Sequence, residues 1–256
     1  MVKNIITVPL SIWVLTGYDN GQRTLFYLSP DNITKNRFKL DSEEAHHAFH
    51  VLRLNVDDEI WMLDGEGTAY KGIIKQNGHE VNGEIIEKTS GFSEAKIKMH
   101  IAVGLIKRDR FEWLLEKAVE CGAVSITPLL LARCVKKSLN MERALKIVRT
   151  AAKQCGRSRF PIIHEPISLI QFIDKSIKCI VCLNSYGEQS LASWQKDVQP
   201  NEVTMLIGPE GDFSENEMTV IREKNIPIVS LGSRRLRTET AVMTALNIIE
   251  FGGLND

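Results

Sequence analysis

The pattern of apolar residues changes near residue 90 of this 256-residue chain. Before that point, short apolar runs alternate with turn signals such as Asp64-Gly65 and Asn77-Gly78, which is typical of strands joined by hairpins. After it, strand patterns alternate with helix patterns, which is typical of a parallel α/β sheet. The sequence therefore predicts a small antiparallel β-barrel over residues 23–90, followed by an α/β domain over residues 94–256.

Each predicted domain has its own set of elements. In the first, we expect a helix over residues 41–54 and strands over residues 25–28, 59–63, 69–74 and 80–86. In the second, we expect strands over residues 98–105, 125–131, 179–183, 203–207 and 228–231. Asp109 and Glu112 predict a capping box at the start of one helix, and Asn140 predicts the cap of the next. The last helix should start near Glu239.

Composition excludes several classes of protein. The chain is 43% hydrophobic and 25% charged, which excludes disordered and collagen-like chains, and no apolar run is long enough to predict a membrane span. Five cysteines, an odd number, favour a reducing, cytoplasmic compartment over a disulfide scaffold. Residues 1–22 resemble a secretory signal only superficially, because Pro9 and Ser11 interrupt their apolar run. We leave them as an N-terminal extension of unassigned status.

Positive charge is concentrated in one segment although the net charge of the chain is zero. Residues 133–159 contain nine basic residues and a single acidic one, Glu142. Such a block suits a polyanionic partner, and the alternative is a solvated helix face. Helical periodicity places one set of these side chains away from the apolar face, as an exposed stripe: Arg143, Lys146, Arg149 and Lys153.

Three loops follow three consecutive strands of the α/β domain: residues 184–187, 208–214 and 232–238. Because ligands bind at the carboxyl ends of parallel strands, we expect these loops to form one pocket. The Gly208-Pro209-Glu210-Gly211 turn lets backbone N–H groups approach a ligand closely, and Ser214 with Glu217 predicts a capping box after it. A purely structural turn is the alternative. Neither phosphate-binding glycine motif is present in the sequence.

No metal site is predicted. Cys179 and Cys182 have C-x-x-C spacing, but a strand directs such residues to opposite faces. His46 and His50 share a helix face without an evident third ligand.

Several segments together resemble the RsmE family of 16S ribosomal RNA uridine-N3 methyltransferases, in the SPOUT superfamily. The similar segments are residues 208–214 (GPEGDFS), 231–241 (LGSRRLRTETA), 105–127 (LIKRDRFEWLLEKAVECGAVSIT) and 151–159 (AAKQCGRSR). Residues 43–54 and 58–67 resemble the PUA-like barrel of that family. Asp212 and Arg235 depart from the common pattern.

The resemblance implies a fold, a cofactor and an assembly. The fold is a SPOUT α/β domain with a C-terminal trefoil knot, preceded by a PUA-like barrel. The methyl donor is S-adenosylmethionine, and the assembly is a homodimer that acts on 16S ribosomal RNA or the small ribosomal subunit. The residues carried over to the donor pocket are Leu183, Gly208, Pro209, Glu210, Gly211, Leu231, Gly232 and Leu236.

The implied reaction needs a cation and a proton acceptor, because the N3 atom of uridine is a poor nucleophile until its proton leaves. Arg237 is the predicted cation, and Glu210 or Glu239 is the predicted acceptor. Glu239 has an alternative role, since an acid in the first turn of a helix complements the helix dipole. Phosphate binding is an equally good interpretation of Arg235 and Arg237.

Basic residues from both domains are predicted to contact RNA: Arg23, Arg53, Arg133, Lys136, Lys137, Arg157, Arg159 and Arg235. Two other functions stay open at this point. One is a SPOUT methyltransferase with a different RNA target, and the other is a non-catalytic protein that binds or helps to assemble the ribosome. The loss of Gly208, Gly211 or Leu231 would favour the second alternative, but all three are present.

Overall fold

The computed structural model describes residues 25–175 and 180–252. The N-terminal extension, Arg23 and Cys179 therefore lie outside the described residues. Within those two ranges, no helix combines the length and apolar character that crossing a membrane would require.

Residues 25–90 contain a six-stranded sheet with the order β1-β4-β5-β6-β3-β2. Its strands are β1 (Leu25–Tyr27), β2 (Ile33–Thr34), β3 (Arg37–Lys39), β4 (Glu59–Leu63), β5 (Thr68–Gln76) and β6 (Asn82–Ser90). All pairs are antiparallel except β1 with β4, which are parallel. The prediction of a purely antiparallel barrel is wrong in this respect. The connection from β1 to β4 contains two strands and a helix, so it is long enough to bring the chain back in the same direction.

The helix of this first part begins where the sequence predicted. Asp41 caps α1 (Ser42–His46), and its Oδ1 accepts a hydrogen bond from the backbone N–H of Glu44 at 2.8 Å. The helix continues as a π-helical turn over His47–Val51, so the predicted helix ends three residues earlier than expected, before residues 52–54. A separate apolar core, which includes Phe26 and Phe38, lies within this part of the chain.

A second, seven-stranded sheet follows, with the order β11-β13-β10-β12-β7-β8-β9. Its strands are β7 (Lys98–Gly104), β8 (Ala123–Leu129), β9 (Ile162–Ile163), β10 (Ile180–Leu183), β11 (Gln189–Ser190), β12 (Glu202–Ile207) and β13 (Ile228–Ser230). Every pair is parallel, which confirms the predicted α/β sheet. After β7 the chain goes to β8 and β9 on one side of the sheet, whereas after β12 it goes to β13 on the other side. The order therefore reverses between β7 and β12, where open α/β sheets bind ligands.

Within the described residues, five helices connect these strands and a sixth follows the last strand. The five are α2 (Arg108–Glu120), α3 (Met141–Cys155), α4 (Leu169–Ile173), α5 (Leu191–Val198) and α6 (Glu215–Glu223), and the sixth is α7 (Thr238–Phe251). The predicted caps of α3 and α6 are confirmed, because Asn140 accepts from the N–H of Arg143 and Ser214 forms the full capping box with Glu217. The predicted box of Asp109 with Glu112 is wrong, since the cap position of α2 is Lys107, two residues before Asp109.

Glu112 instead joins α2 to α3 through two arginines. Its Oε1 accepts from Arg108 Nε at 2.8 Å and from Arg143 Nε at 2.5 Å, and its Oε2 accepts from Arg143 Nη2 at 2.7 Å. These hydrogen bonds, that of Arg143 first, lower the pKa of Glu112 to about 2. The carboxylate that the sequence assigned to capping therefore ties two helices together.

Two contacts connect residues 25–90 to α3 and the segment after it. Lys153 Nζ donates to Glu44 Oε1 at 2.5 Å, and the rings of Tyr27 and Phe160 lie 5.4 Å apart. Glu44 is buried and Lys153 is half-buried. The predicted exposed stripe is thus confirmed for the other three basic residues of α3 but is wrong for Lys153, which pairs with Glu44 of α1.

Candidate active site

The three loops predicted to share a pocket line one cleft of about 1170 Å³ at the carboxyl end of the second sheet. Residues 184–186 come from the loop after β10, residues 208–213 from the loop after β12, and residues 233–236 from the loop after β13. The prediction that these loops converge is therefore confirmed. We call this space the cleft.

Two glycines allow the strands and loops at the cleft to approach closely. A Cβ on Gly104, at the end of β7, would lie 2.7 Å from Pro209 Cδ and 2.8 Å from Pro209 N. A Cβ on Gly208 would lie 2.9 Å from Asp212 Oδ1 and 3.0 Å from Asp212 Cα. The sequence singled out Gly208 but not Gly104, because the contact of β7 with the loop after β12 depends on strand order and has no local signal.

Hydrogen bonds from four surrounding side chains hold the loop after β12. Thr238 Oγ1 donates to Gly208 O at 3.1 Å, and Arg235 Nη2 donates to Glu210 O at 3.0 Å. Arg133 Nη1 donates to Gly211 O at 2.6 Å. Asn184 Nδ2 donates to Asp212 Oδ2 at 3.0 Å, which joins the loop after β10 to the loop after β12. The backbone that would meet a ligand is thus fixed before the ligand arrives.

Seven of the eight predicted donor-pocket residues line the cleft: Leu183, Gly208, Pro209, Glu210, Gly211, Leu231 and Leu236. Gly232 lies beside them, exposed, with a φ of +117° that favours glycine. Beneath the cleft, burial raises the pKa of Cys182 to about 12, with a smaller contribution from Asp212. Its thiol therefore stays protonated, in agreement with a core residue.

The three predicted catalytic residues have different surroundings. Glu210 lines the cleft, whereas Glu239 is buried in the first turn of α7 and has an oxygen, Oε2, without a hydrogen-bond partner among the described residues. Arg237 is the exposed residue that precedes α7, and it does not line the cleft. The structure therefore places one of the three at the cleft wall.

Arg110 is a functional candidate that the sequence analysis did not single out. Its Nη1 donates to Glu210 Oε1 at 3.2 Å, and its Nε lies 4.0 Å from Glu239 Oε1. The available signal was weak, since Arg110 is one of several charged residues in the segment 105–127. Its position near two carboxylates follows from tertiary contacts alone.

The predicted RNA-contacting residues also divide into groups. Six of them are exposed: Arg53, Arg133, Lys136, Lys137, Arg159 and Arg235. Arg133 and Arg235 also donate hydrogen bonds to the loop after β12. Arg157 is 3% exposed, and its Nη1 donates to Val119 O and Ala123 O while its Nη2 pairs with Glu94 at 2.7 Å. The prediction that Arg157 contacts RNA is therefore wrong, because its guanidinium is enclosed by protein groups.

Two sequence families match this chain. One, described as an RNA methyltransferase domain, matches residues 93–250, and another, described as an RNA methyltransferase PUA domain, matches residues 40–86. Among individual proteins, Ribosomal RNA small subunit methyltransferase E of Bacillus subtilis is 34% identical over 84% of this chain and 90% of its own length. The protein of that name from Synechocystis is 30% identical over 96% of this chain and 82% of its own length.

Solved structures agree with these matches. A Neisseria gonorrhoeae Ribosomal RNA small subunit methyltransferase E, bound to S-adenosylmethionine, is 26% identical with a TM-score of 0.78, over 88% of this chain and 96% of that chain. A Legionella pneumophila structure in complex with the same cofactor is 28% identical with a TM-score of 0.76, over 90% of this chain and 97% of that chain.

Proposed function

Because the chain belongs to the Ribosomal RNA small subunit methyltransferase E family, we propose that it methylates N3 of a uridine in 16S ribosomal RNA. It is an S-adenosylmethionine-dependent RNA methyltransferase with an α/β methyltransferase fold and a PUA domain. The family provides the substrate class, and the N3 position is the proposal. The observation that carries it is the cleft, in which a fixed, glycine-containing loop places the Glu210 carboxylate at the wall.

The cleft has the chemistry that S-adenosylmethionine requires. Leu183, Leu231 and Leu236 give the apolar surface that an adenine ring needs, and the Gly208–Gly211 backbone gives hydrogen-bonding groups. Pro209 lines this space and lies close to Gly104 at the end of β7. The donor supplies an electrophilic methyl group on a sulfonium sulfur. We assign its binding to the eight predicted pocket residues, with Gly232 at the edge.

The three predicted catalytic residues, of which only Glu210 lines the cleft, are assigned to prepare the acceptor nitrogen. Glu210 or Glu239 accepts the N3 proton, N3 forms a bond to the methyl carbon, and the carbon–sulfur bond breaks with its electron pair left on sulfur. Arg237 stabilises the negative charge on the uracil oxygens. Because N3 lies on the Watson–Crick edge, the target uridine is unpaired or turned out of its helix when it reacts.

RNA binding is assigned to the PUA-like part, residues 23–90, together with the exposed basic residues outside it. Arg53 and Arg159 lie in or beside the first sheet, and Lys136 and Lys137 lie in the segment that precedes α3. The methyltransferase part is assigned to residues 94–256. Arg133 and Arg235 serve both purposes, since their guanidinium groups hold the loop after β12 from an exposed position.

We further propose that the C-terminal part forms a trefoil knot and that the protein is a homodimer. Support for the knot comes from the return of the chain after β13: Thr238 bonds to Gly208, and α7 packs against β7 and β12 at the centre of the sheet. Helices α2 and α7 pack against each other, and each has a large exposed apolar side chain, Trp113 on α2 and Phe251 on α7. These exposed side chains support a dimer, because a second copy of the chain would cover them. Light scattering of the purified protein should give twice the chain mass.

The reaction is tested with methyl-labelled S-adenosylmethionine and small ribosomal subunits from cells that lack this protein. Nucleoside analysis of the product should show N3-methyluridine, and subunits from wild-type cells should accept little label. Methylation of a different nucleoside would overturn the N3 assignment.

Donor binding is tested separately with Gly211→Leu. A Cβ at Gly211 would lie 3.1 Å from Arg133 Cβ and 3.2 Å from its Cδ, so a leucine must displace Arg133 or project into the cleft. We expect calorimetry to show loss of donor binding with an unchanged circular dichroism spectrum. Undiminished donor affinity would contradict the pocket assignment.

A further inference from the structure

Arg110 connects two acidic residues that lie far apart in the sequence. It belongs to the first turn of α2, Glu210 to the loop after β12, and Glu239 to the first turn of α7. The Nη1 atom contacts Glu210 at 3.2 Å, and the Nε atom lies 4.0 Å from Glu239. One guanidinium therefore lies between two carboxylates from different segments.

The two carboxylates are not equivalent. The side chain of Glu239 is 10% exposed and that of Glu210 is 36% exposed. Glu239 thus lies on the interior side of Arg110, and Glu210 lies at the cleft. Two carboxylates brought together without a cation would repel each other, and the guanidinium removes that repulsion. The order from the interior outward is Glu239, Arg110, Glu210.

The geometry leaves one oxygen of Glu210 available. Arg110 bonds to Oε1, and no residue in the described part of the chain donates a hydrogen bond to Oε2. By contrast, Glu239 Oε2 is enclosed and unpartnered within the same ranges. A proton acceptor has to reach the proton it removes. Of the two candidates, only Glu210 satisfies this requirement at the cleft wall.

We propose that Glu210 is the proton acceptor and that Arg110 and Glu239 are positioning residues for it. Glu239 fixes Arg110 from the interior, and Arg110 fixes the Glu210 carboxylate through Oε1, so that Oε2 is directed for proton removal. The inference rests on the proposed function, and it decides between the two acceptors that the sequence left open. Displacement of a reacting group by about 1 Å can cost roughly 100-fold in rate, so the effect should be large.

The test compares Arg110→Gln with Arg110→Lys and with a matched control, Arg108→Gln, on the same helix. Arg108 contacts Glu112 and has no contact with Glu210 or Glu239. Single-turnover transfer of labelled methyl to small subunits gives the rate, and calorimetry gives the donor dissociation constant. We expect Arg110→Gln to lower the methyl-transfer rate roughly 100-fold, while the dissociation constant of the donor changes less than about threefold.

The lysine variant should be intermediate, with a loss of roughly tenfold, because it retains the charge but has one nitrogen in place of the two that face Glu210 and Glu239. Arg108→Gln should react like the wild type. A rate for Arg110→Gln within about threefold of wild type would overturn the proposal. So would a loss that appears only in donor affinity, or one explained by a lower melting temperature, since these indicate a structural ion pair.

Glu239→Gln provides an independent check on the order of the residues. If Glu239 acts through Arg110, the double variant Arg110→Gln/Glu239→Gln should be no slower than Arg110→Gln alone. Additive losses would show instead that Glu239 acts by itself. The readout is total methyl transferred, whichever nucleoside receives it. A product other than N3-methyluridine would therefore overturn the proposed function without affecting the test of Arg110.

Discussion

Close packing at single glycines determines the shape of the cleft. The φ of Gly104 is not positive, so a glycine is needed there because of the close contact with Pro209 and not because of an unusual backbone conformation. The atoms that exclude a side chain there belong to the proline ring and backbone of Pro209, which cannot move aside as a long side chain could. A single added methyl group would therefore act on the loop that is assigned to the donor.

Gly104→Ala should weaken donor binding by roughly tenfold or more and lower the stability of the protein by about 1–3 kcal/mol, because the methyl group overpacks the contact with Pro209. Calorimetric titration with S-adenosylmethionine and thermal unfolding measure the two effects. Gly78→Ala is the control for donor binding, because this turn belongs to the first sheet and a Cβ there meets nothing within 4 Å. Its φ of +145° strains an alanine, so this variant should also lose stability while its donor affinity stays unchanged. Equal donor affinities for the two variants would contradict the role of Gly104.

Arg157 and Arg159 form a natural pair, since they are two residues apart and only one of them is buried. Arg157→Ala should destabilise the protein by roughly 3–5 kcal/mol, because it leaves Glu94 without its buried partner. Arg159→Ala should leave the melting temperature unchanged. It should reduce the slope of the logarithm of the RNA-binding constant against the logarithm of salt concentration by about one. Thermal unfolding and RNA titrations at several salt concentrations separate these outcomes, and a reversed pattern would contradict the assignment.

At the scale of elements, helices α2 and α3 are joined by an ion pair with a definite pH dependence. The pKa of Glu112 is about 2, below its ordinary value of 4.5, so the folded state favours the ionised carboxylate. A carboxylate whose pKa is lower in the folded state stabilises the fold fully when the pH is above its ordinary, unfolded-state pKa. This stabilisation is lost as the pH falls through the lower pKa of the folded state. Glu112 therefore stabilises the α2–α3 contact at neutral pH and stops doing so in strong acid.

Glu112→Gln should lower the melting temperature at about pH 7 and have little effect near pH 2, where the wild-type carboxyl is itself becoming protonated. Thermal unfolding as a function of pH measures the difference. Glu142→Gln, an exposed acid in the first turn of α3, is the matched control and should not reproduce the pH-dependent difference. A constant difference between wild type and Glu112→Gln across this range would contradict the linkage.

At the scale of the whole molecule, the sequence predicted the features that depend on local patterns and missed those that depend on contacts between distant segments. The convergence of the three loops could be predicted because the carboxyl ends of parallel strands share one edge of a sheet. Arg157 could not be placed correctly, since helical periodicity ends at Gly156, where a φ of +79° reverses the chain and turns the next side chain inward. The parallel pairing of β1 with β4 and the position of Arg110 also depend on contacts between distant segments, which leave no local signal.

The contact between the first sheet and α3 has a consequence for the molecule as a whole. Lys153→Met would leave the buried Glu44 carboxylate without its cation, and removal of one partner of a buried pair costs more than removal of both. We expect Lys153→Met to lower stability by more than about 1 kcal/mol and to separate the unfolding of the two sheets in calorimetry. Because the α3 helix carries part of the basic surface, the same variant should weaken RNA binding more than a variant that only removes one exposed positive charge from this helix.

The double variant Glu44→Gln/Lys153→Met distinguishes a pair from two independent residues. If the ion pair couples the sheets, neutralising both partners should recover much of the stability that Lys153→Met alone removes, since no unpaired charge stays buried. Lys146→Met, on the exposed stripe of the same helix, supplies the control for charge loss alone. A single, unshifted unfolding transition for Lys153→Met would show that other contacts hold the two sheets together, such as the Tyr27–Phe160 ring contact and the backbone hydrogen bond from Gly67 N–H to Ser158 O, and not this pair.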